Sequence, residues 1–295
     1  MPTFTRSQNR MKRTSVRGAR RRLESAGKDA LTSSTDPAIL KKTVATLQLG
    51  PDVQGDGSTA LHMAARFNRV PLLRQLLARP HADPNVRQTD GVTPLYLAAQ
   101  NGNVDAVDIL LRHAKIDPNR CADDGVGPLF IAAQFGHARI VRQLLSHPRL
   151  DVNLRRPDGA TPLLIACSRG DIETVSALLD SAHINVNLGD WEDASPLYIA
   201  SQNGHLRVVQ ALLSRSETDP NIQECDGVTA LHIAAQCGHP DVVRALLADP
   251  RTVAELKRCD ELDALQVAQR MRHVEVIYEL LSSDALRQGK TLGMQ

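Results

Sequence analysis

Aromatic side chains are scarce in this chain, with one Trp, three Tyr and four Phe among 295 residues. That supply argues against a nucleic-acid reader built on stacked bases and against a membrane barrel with aromatic girdles. There is no apolar run of about 18 residues, so no spanning helix is expected. The N-terminus also lacks the apolar segment of a secretory signal. The five cysteines (Cys121, Cys167, Cys225, Cys237, Cys259) are odd in number and contain no close pair. They read as reduced thiols of an intracellular protein, not as a disulfide frame or a zinc site. Also missing are a Gly-rich phosphate loop, Cys-x-x-Cys, His-Glu-x-x-His and Gly-x-Ser-x-Gly. No catalytic residue, cofactor site or metal site is therefore expected. Beginning at Met1, the chain is read as leaving no room for a separate catalytic domain.

What is present is enough apolar residue, 42%, to bury a core. The formal net charge of +2 hides an asymmetry. Residues 1–28 hold nine basic side chains against Glu24 alone, a charge of +8, and the remainder carries −6. The chain reads as a basic arm on a mildly acidic body.

The body repeats itself. Asp90-Gly91-Val92-Thr93-Pro94-Leu95 recurs from Asp124, Asp158, Glu192 and Asp226, with an upstream copy at Asp56 and a worn one at Asp260. The step is 34 residues throughout and there are seven copies. Within a copy, Asp-Gly suits a tight turn. Thr then serves as N-cap, and Pro stands at the first helical position, where its missing N–H costs nothing. Leu95, Ala98 and Ala99 make a narrow apolar stripe whose small side chains allow close approach. Gly102 and its counterparts Gly136, Gly170, Gly204 and Gly238 end that helix. A second helix carries Val104, Val107, Leu110 and Leu111, and Asp-Pro-Asn or a variant closes the unit. Helices of about eight to ten residues are too short to stand alone, so each unit needs its neighbours and the copies should stack in a row.

At these residues the sequence resembles the ankyrin repeat family. Thr229-Ala230-Leu231-His232-Ile233-Ala234-Ala235 is nearly the family signature, and Gly136-His137, Gly204-His205 and Gly238-His239 open second helices as the family does. The resemblance spans roughly residues 50–283. It implies an all-α repeat solenoid of helix-turn-helix units with β-hairpin-like loops. The step of 34 is one longer than the family's usual step, and the extra residue falls after the Leu-Leu pair, on the back of the solenoid. The expected organisation is a disordered basic arm over 1–36, a capping helix over 37–54, seven repeats over 55–283 and a tail over 284–295. Gln266, Gln269, Arg270 and Arg272 should give the last copy a polar outer face.

The resemblance also implies where a partner docks, namely on the hairpin tips and the exposed face of the first helices. Carried onto this chain, the candidates are Arg66, Phe67, Gln100, Asn101, Gln134, Phe135, Arg169, Gln202 and Asn203 on the helix face, with Asp123, Trp191 and Glu192 at the tips. Trp191 is the sole tryptophan and sits at a tip, where it either meets a partner or folds over Pro157 or Cys225. Phe67 and Phe135 either contact a partner or pack against the next unit. Tyr96, Phe130 and Tyr198 replace the usual His and either line the surface or tighten the stack. The histidines at repeat-specific places (His62, His137, His205, His232, His239, His273) read as capping or inter-repeat hydrogen bonders. Asn85, Asn119, Asn153, Asn187 and Asn221 read as turn residues, or as sites that an asparaginyl hydroxylase modifies in some members of the family.

The arm has four readings: a nuclear import signal at Lys12-Arg13 and Arg20-Arg21-Arg22, a transit peptide, an element that attaches to nucleic acid or an anionic membrane through residues 1–28, or no address at all. Lys12-Arg13-Thr14-Ser15 and Arg21-Arg22-Leu23-Glu24-Ser25 resemble basophilic kinase sites. The expectation is a non-catalytic, monomeric scaffold or adaptor that binds another protein. Its expected place is cytoplasmic or nuclear, with mitochondrial targeting as the lesser reading.

Overall fold

The computed structural model describes residues 56–282. The expected arm, leading helix and tail lie outside them. The chain divides into two units, Met1–Pro51 and Asp52–Gln295, and every described residue belongs to the second.

Each copy of the repeat forms a helix pair. The first helices are α1 (Ala60–Arg66), α3 (Pro94–Gln100), α5 (Pro128–Phe135), α7 (Pro162–Arg169), α9 (Pro196–Gln202), α11 (Ala230–Cys237) and α13 (Ala264–Met271). The second helices are α2 (Val70–Leu77), α4 (Val104–Leu111), α6 (Ala138–Leu145), α8 (Ile172–Leu179), α10 (Leu206–Leu213) and α12 (Pro240–Ala248). A last helical stretch, α14, runs over 274–282. The starts follow from capping chemistry. The hydroxyls of Thr93, Thr161, Ser195 and Thr229 accept from the backbone N–H three residues on, at 3.2–3.4 Å. In α1 and α11 the cap is reciprocal, since the His62 and His232 rings reach back to the N–H of Thr59 and Thr229.

First helices pack on first helices and second on second, with each pair closed on itself. Ala64, Ala98, Ala132, Ala166, Ala200, Ala234 and Ala268 form one file of buried methyls along the stack. Leu76, Leu110, Leu144, Leu178, Leu212, Leu246 and Leu280 form another. The core is thus continuous from unit to unit, which is how short helices that would melt alone stay folded.

Histidines fasten successive units. The Nε2–H of His137, His205, His239 and His273 donates to the carbonyls of Gln100, Ser168, Gln202 and Gln236, at 3.1–3.2 Å. Asn103 does the same for Ala65 and Arg66 through its amide. Each imidazole lies against the left-handed glycine that ends the preceding first helix. At Gly204 (φ +70°) a Cβ would sit 2.8 Å from the His239 ring.

The two edges of the stack differ. Along one, five asparagines form a ladder. Each side-chain amide donates to a carbonyl of the next unit, and its oxygen accepts a backbone N–H there. Asn153, for example, bonds His183 O and Asn185 N, both at 2.8 Å. The same pair of bonds recurs from Asn85, Asn119, Asn187 and Asn221. These residues join units as well as turning the chain.

Along the other edge lie the tips. The expected hairpin-like loops are turns, and no strand occurs among the described residues. Within a tip, bonds such as Gln88 N to Val92 O (2.9 Å) close the turn. Between tips a single backbone bond recurs, from Thr89 N to Asp56 O, Asp123 N to Asp90 O, Cys225 N to Glu192 O and Cys259 N to Asp226 O. Pro157 has no N–H and cannot make this bond to Asp124.

The final unit departs from the expected polar cap. Gln266, Gln269, Arg270 and Arg272 are exposed, as the sequence suggests, but so are Val274, Tyr278 and Leu281 of α14. Exposed apolar side chains thus stand beside polar ones such as Glu275 on the second helix of that unit.

Candidate partner-binding surface

The C-terminal ends of the first helices share one face, and the histidine and Asn103 bonds hold their carbonyls in place. Phe67 and Phe135 are both nearly half exposed there, at 45% and 46%. The Arg66 guanidinium lies over Phe67, 5.6 Å from the ring centroid, and Phe135 stacks on His137. Neither ring is buried against the next unit. Asn101 and Asn203 are exposed yet turn their amides back to Leu97 O and Ile199 O of their own helices. Arg169 and Gln202 are exposed, while Arg66, Gln100 and Gln134 are half-buried. The face is therefore mixed, two phenyl rings among amides and arginines.

At the tips, Trp191 is 63% exposed. It is not loose. Its indole N–H donates to Pro157 O at 2.7 Å, and the Arg155 guanidinium sits 4.5 Å above the ring. The side chain both leans on the Pro157 tip and leaves most of itself to solvent. Asp123 is exposed and paired with Arg87, and Glu192 is exposed. Tyr96 and Phe130 are buried and Tyr198 half-buried, so these three rings tighten the stack more than they line its surface. Burial, with the nearby carboxylates of Asp124 and Glu224 respectively, pushes the phenols of Tyr96 and Tyr198 up to about 12, and both stay neutral.

Little here offers chemistry. All five cysteines are unpaired. Burial raises the thiols of Cys121, Cys167 and Cys237, and that of Cys225 is raised chiefly by its bond to Glu224, so none of these four is an activated thiolate. His62 makes two obligate bonds. Val92 O can only accept, so Nε2 carries the hydrogen, and Thr59 N–H can only donate, so Nδ1 is bare. The ring is neutral by construction, and burial lowers its affinity for a proton. Glu224, Cys225 and Asp226 bring ligand atoms within 4.8 Å of one another, but Cys225 and Asp226 are exposed and Glu224 is only half-buried in the turn.

Sequence reasoning missed two elements of this surface and one of the opposite edge. These are Arg155 over the indole, the Arg87–Asp123 pair and the asparagine ladder. The ladder had a signal, the same residue type at the same place in five successive copies.

A family model described as ankyrin repeats (3 copies) matches residues 34–122, 61–156, 129–224 and 212–289. Among solved structures, the chain is similar to the ankyrin repeat domain of Bcl-3, described as a unique member of the IkappaB protein family. The identity is 28%, the TM-score 0.69, and the match covers 76% of this chain and 99% of that one. It is also similar to the human ASB11 ankyrin repeat domain, at 27% identity and a TM-score of 0.63, covering 77% of this chain and 98% of that one. A search of curated protein sequences finds no match.

Proposed function

The chain belongs to the ankyrin repeat family, and on that premise we propose that it is a non-catalytic scaffold or adaptor that grips a partner protein through its first-helix face and hairpin tips. Ankyrin repeats generally mediate protein–protein interaction, and the solved structures above are ankyrin repeat domains. One observation carries the reading for this chain. Positions 64, 98, 132, 166, 200, 234 and 268 are alanine in every unit, whereas the exposed place three residues later changes from Phe to Asn, Phe, Arg, Asn, Cys and Met. The core constrains the first position and not the second. Two phenyl rings and the sole indole are set in solvent where packing does not require them, and aromatic anchors of this kind dominate binding energies. The surface is also preformed, so a partner loses little free energy to ordering it.

Capture of a partner by the full chain, compared with Trp191→Ala plus Phe135→Ala, tests the assignment. Loss of capture with the fold retained and at most a small shift of the melting profile is expected, and undiminished capture would remove these residues from the site.

A second reading concerns address. The charge of +8 over residues 1–28 favours a role for the arm in delivering the scaffold to the nucleus, a mitochondrion or an anionic surface. Tagged full-length protein and a version lacking residues 1–36 should distribute differently in cells, and identical distributions end this reading.

A further inference from the structure

The hairpin tips are not electrically alike. Three of them carry their own cation. Arg87 pairs with Asp123, Arg156 with Asp158 (3.3 Å), and Arg258 with Asp260 (3.3 Å). At the corresponding places the tip over 189–193 holds Gly189 and Asp190, and the tip over 223–226 holds Gln223 and Glu224. No Lys or Arg occurs anywhere in 184–206 or in 216–243. Asp190, Glu192, Asp193, Glu224 and Asp226 therefore stand on two adjacent tips, and no Lys or Arg pairs with any of them among the described residues. Asp190 and Glu224 are held by their own turns, accepting from Glu192 N and Ala194 N, and from Asp226 N and Val228 N. The carboxylates of Glu192, Asp193 and Asp226 make no comparable turn bond among the described residues. The Cys225 thiol sits among these groups, donates to Glu224 Oε2 at 3.4 Å, and is raised by that bond and by the acids around it.

The same place holds the exposed indole. Its bond to Pro157 O fixes the ring, and Arg155 on one face shows that the ring already seats a guanidinium. A π-face on the same tip as carboxylates that no Lys or Arg pairs with among the described residues is the chemistry that recognises a second cation.

We propose that the paired tips 189–193 and 223–226, with Trp191 as anchor, dock an extended basic segment of the partner protein. This rests on the scaffold reading and adds the chemistry of what is bound. Spacing sharpens it. Packed helices of neighbouring units lie about 10 Å apart, and an extended chain advances about 3.3 Å per residue. Successive tips are thus matched by every third residue of the segment, an Arg-x-x-Arg pattern. One guanidinium lies on the Trp191 ring beside Glu192 and Asp193, and the next lies between Glu224 and Asp226.

Trp191 is the only tryptophan, so its emission reports occupancy of this site in the full chain without a label. The probe is a synthetic Arg-Gly-Ser peptide repeated four times. The controls are the same peptide with Glu for Arg, and calcium or zinc ions alone. The expected result is a saturable change in emission with the Arg peptide only. The affinity should fall as salt is raised from about 50 to about 200 mM. It should weaken about tenfold when Glu192→Gln, Asp193→Asn, Glu224→Gln and Asp226→Asn are combined, with the melting profile unchanged.

Equal binding by that variant, or an equal response to the Glu peptide, would overturn the proposal. So would saturable emission changes produced by the metal ions and not by the peptide, which would make the cluster a cation site. If the Arg peptide fails while the full chain still captures a protein that Trp191→Ala plus Phe135→Ala loses, the basic segment is wrong and the scaffold reading survives. If neither binds, both fall.

Discussion

The asparagine edge and the tip edge of the stack divide its labour. On the asparagine edge one residue type recurs in five copies, and each side chain donates to a backbone carbonyl of the next unit and accepts a backbone N–H there. These side chains are engaged in joining units. On the tip edge the backbone bond between units is single and absent at Pro157, the side chains differ from copy to copy, and several carboxylates have no cation among the described residues. Uniformity in a repeat marks what holds the repeats together. Variation against that background marks what the chain is free to use.

Substitutions can break this division in a graded way. The largest loss should come from Gly159→Val, although it lies on the tip edge. Its φ is +81°, and a Cβ there would lie 2.6 Å from the backbone nitrogen of Trp191, so strain and overlap combine. A destabilisation of roughly 3 kcal/mol is expected in chemical denaturation. If the loss is slight, the turn is less rigid than the edge comparison requires. Next comes Asn153→Ala, which removes two inter-unit bonds and should cost about 1–2 kcal/mol while leaving partner capture intact. Lost capture with unchanged stability would reverse the roles assigned to the two edges.

Mild acid should act first on the caps beneath the edges. His62 and His232 bind protons less readily folded than unfolded because they are buried. The unfolded chain takes up the protons first, so stability is fully present above the ordinary histidine value of about 6.5 and falls as pH drops through and below it. Denaturation midpoints at neutral and mildly acid pH should show this decline, and a His62→Gln, His232→Gln variant should flatten it. The smallest stability effect is expected from Trp191→Ala, about 1 kcal/mol or less, since one exposed bond and one exposed stack are lost. Its capture of partner should nonetheless fail.

Much of the fold was legible beforehand because its determinants are local. Thr or Ser, then Pro, then an apolar stripe and a glycine specify where α3, α7 and α9 begin and end, and the structure agrees. The role of the histidines followed from their repeat-specific places. The asparagine ladder was less legible, since its partners lie 30 and 32 residues away and emerge only when units are stacked. For the same reason the tie between Trp191 and Pro157 was one of two alternatives until the neighbouring tip was in place. The exposed apolar stripe of α14 was not legible because Val274, Tyr278 and Leu281 follow the same helical spacing as the buried positions of other second helices. Tyr278 stands where α12 has Arg244, which reaches forward to Glu279, so an aromatic ring replaces a charge at a place that points away from the preceding units.

The contact between Gly204 and the His239 ring has a further consequence. Because the imidazole of one unit fills the space that a side chain on the previous unit would need, the two residues must be inherited together. A unit that begins its second helix with histidine can be transplanted only behind a neighbour ending in glycine, so the copies are not freely interchangeable bricks but words whose order is governed by agreement between adjacent endings.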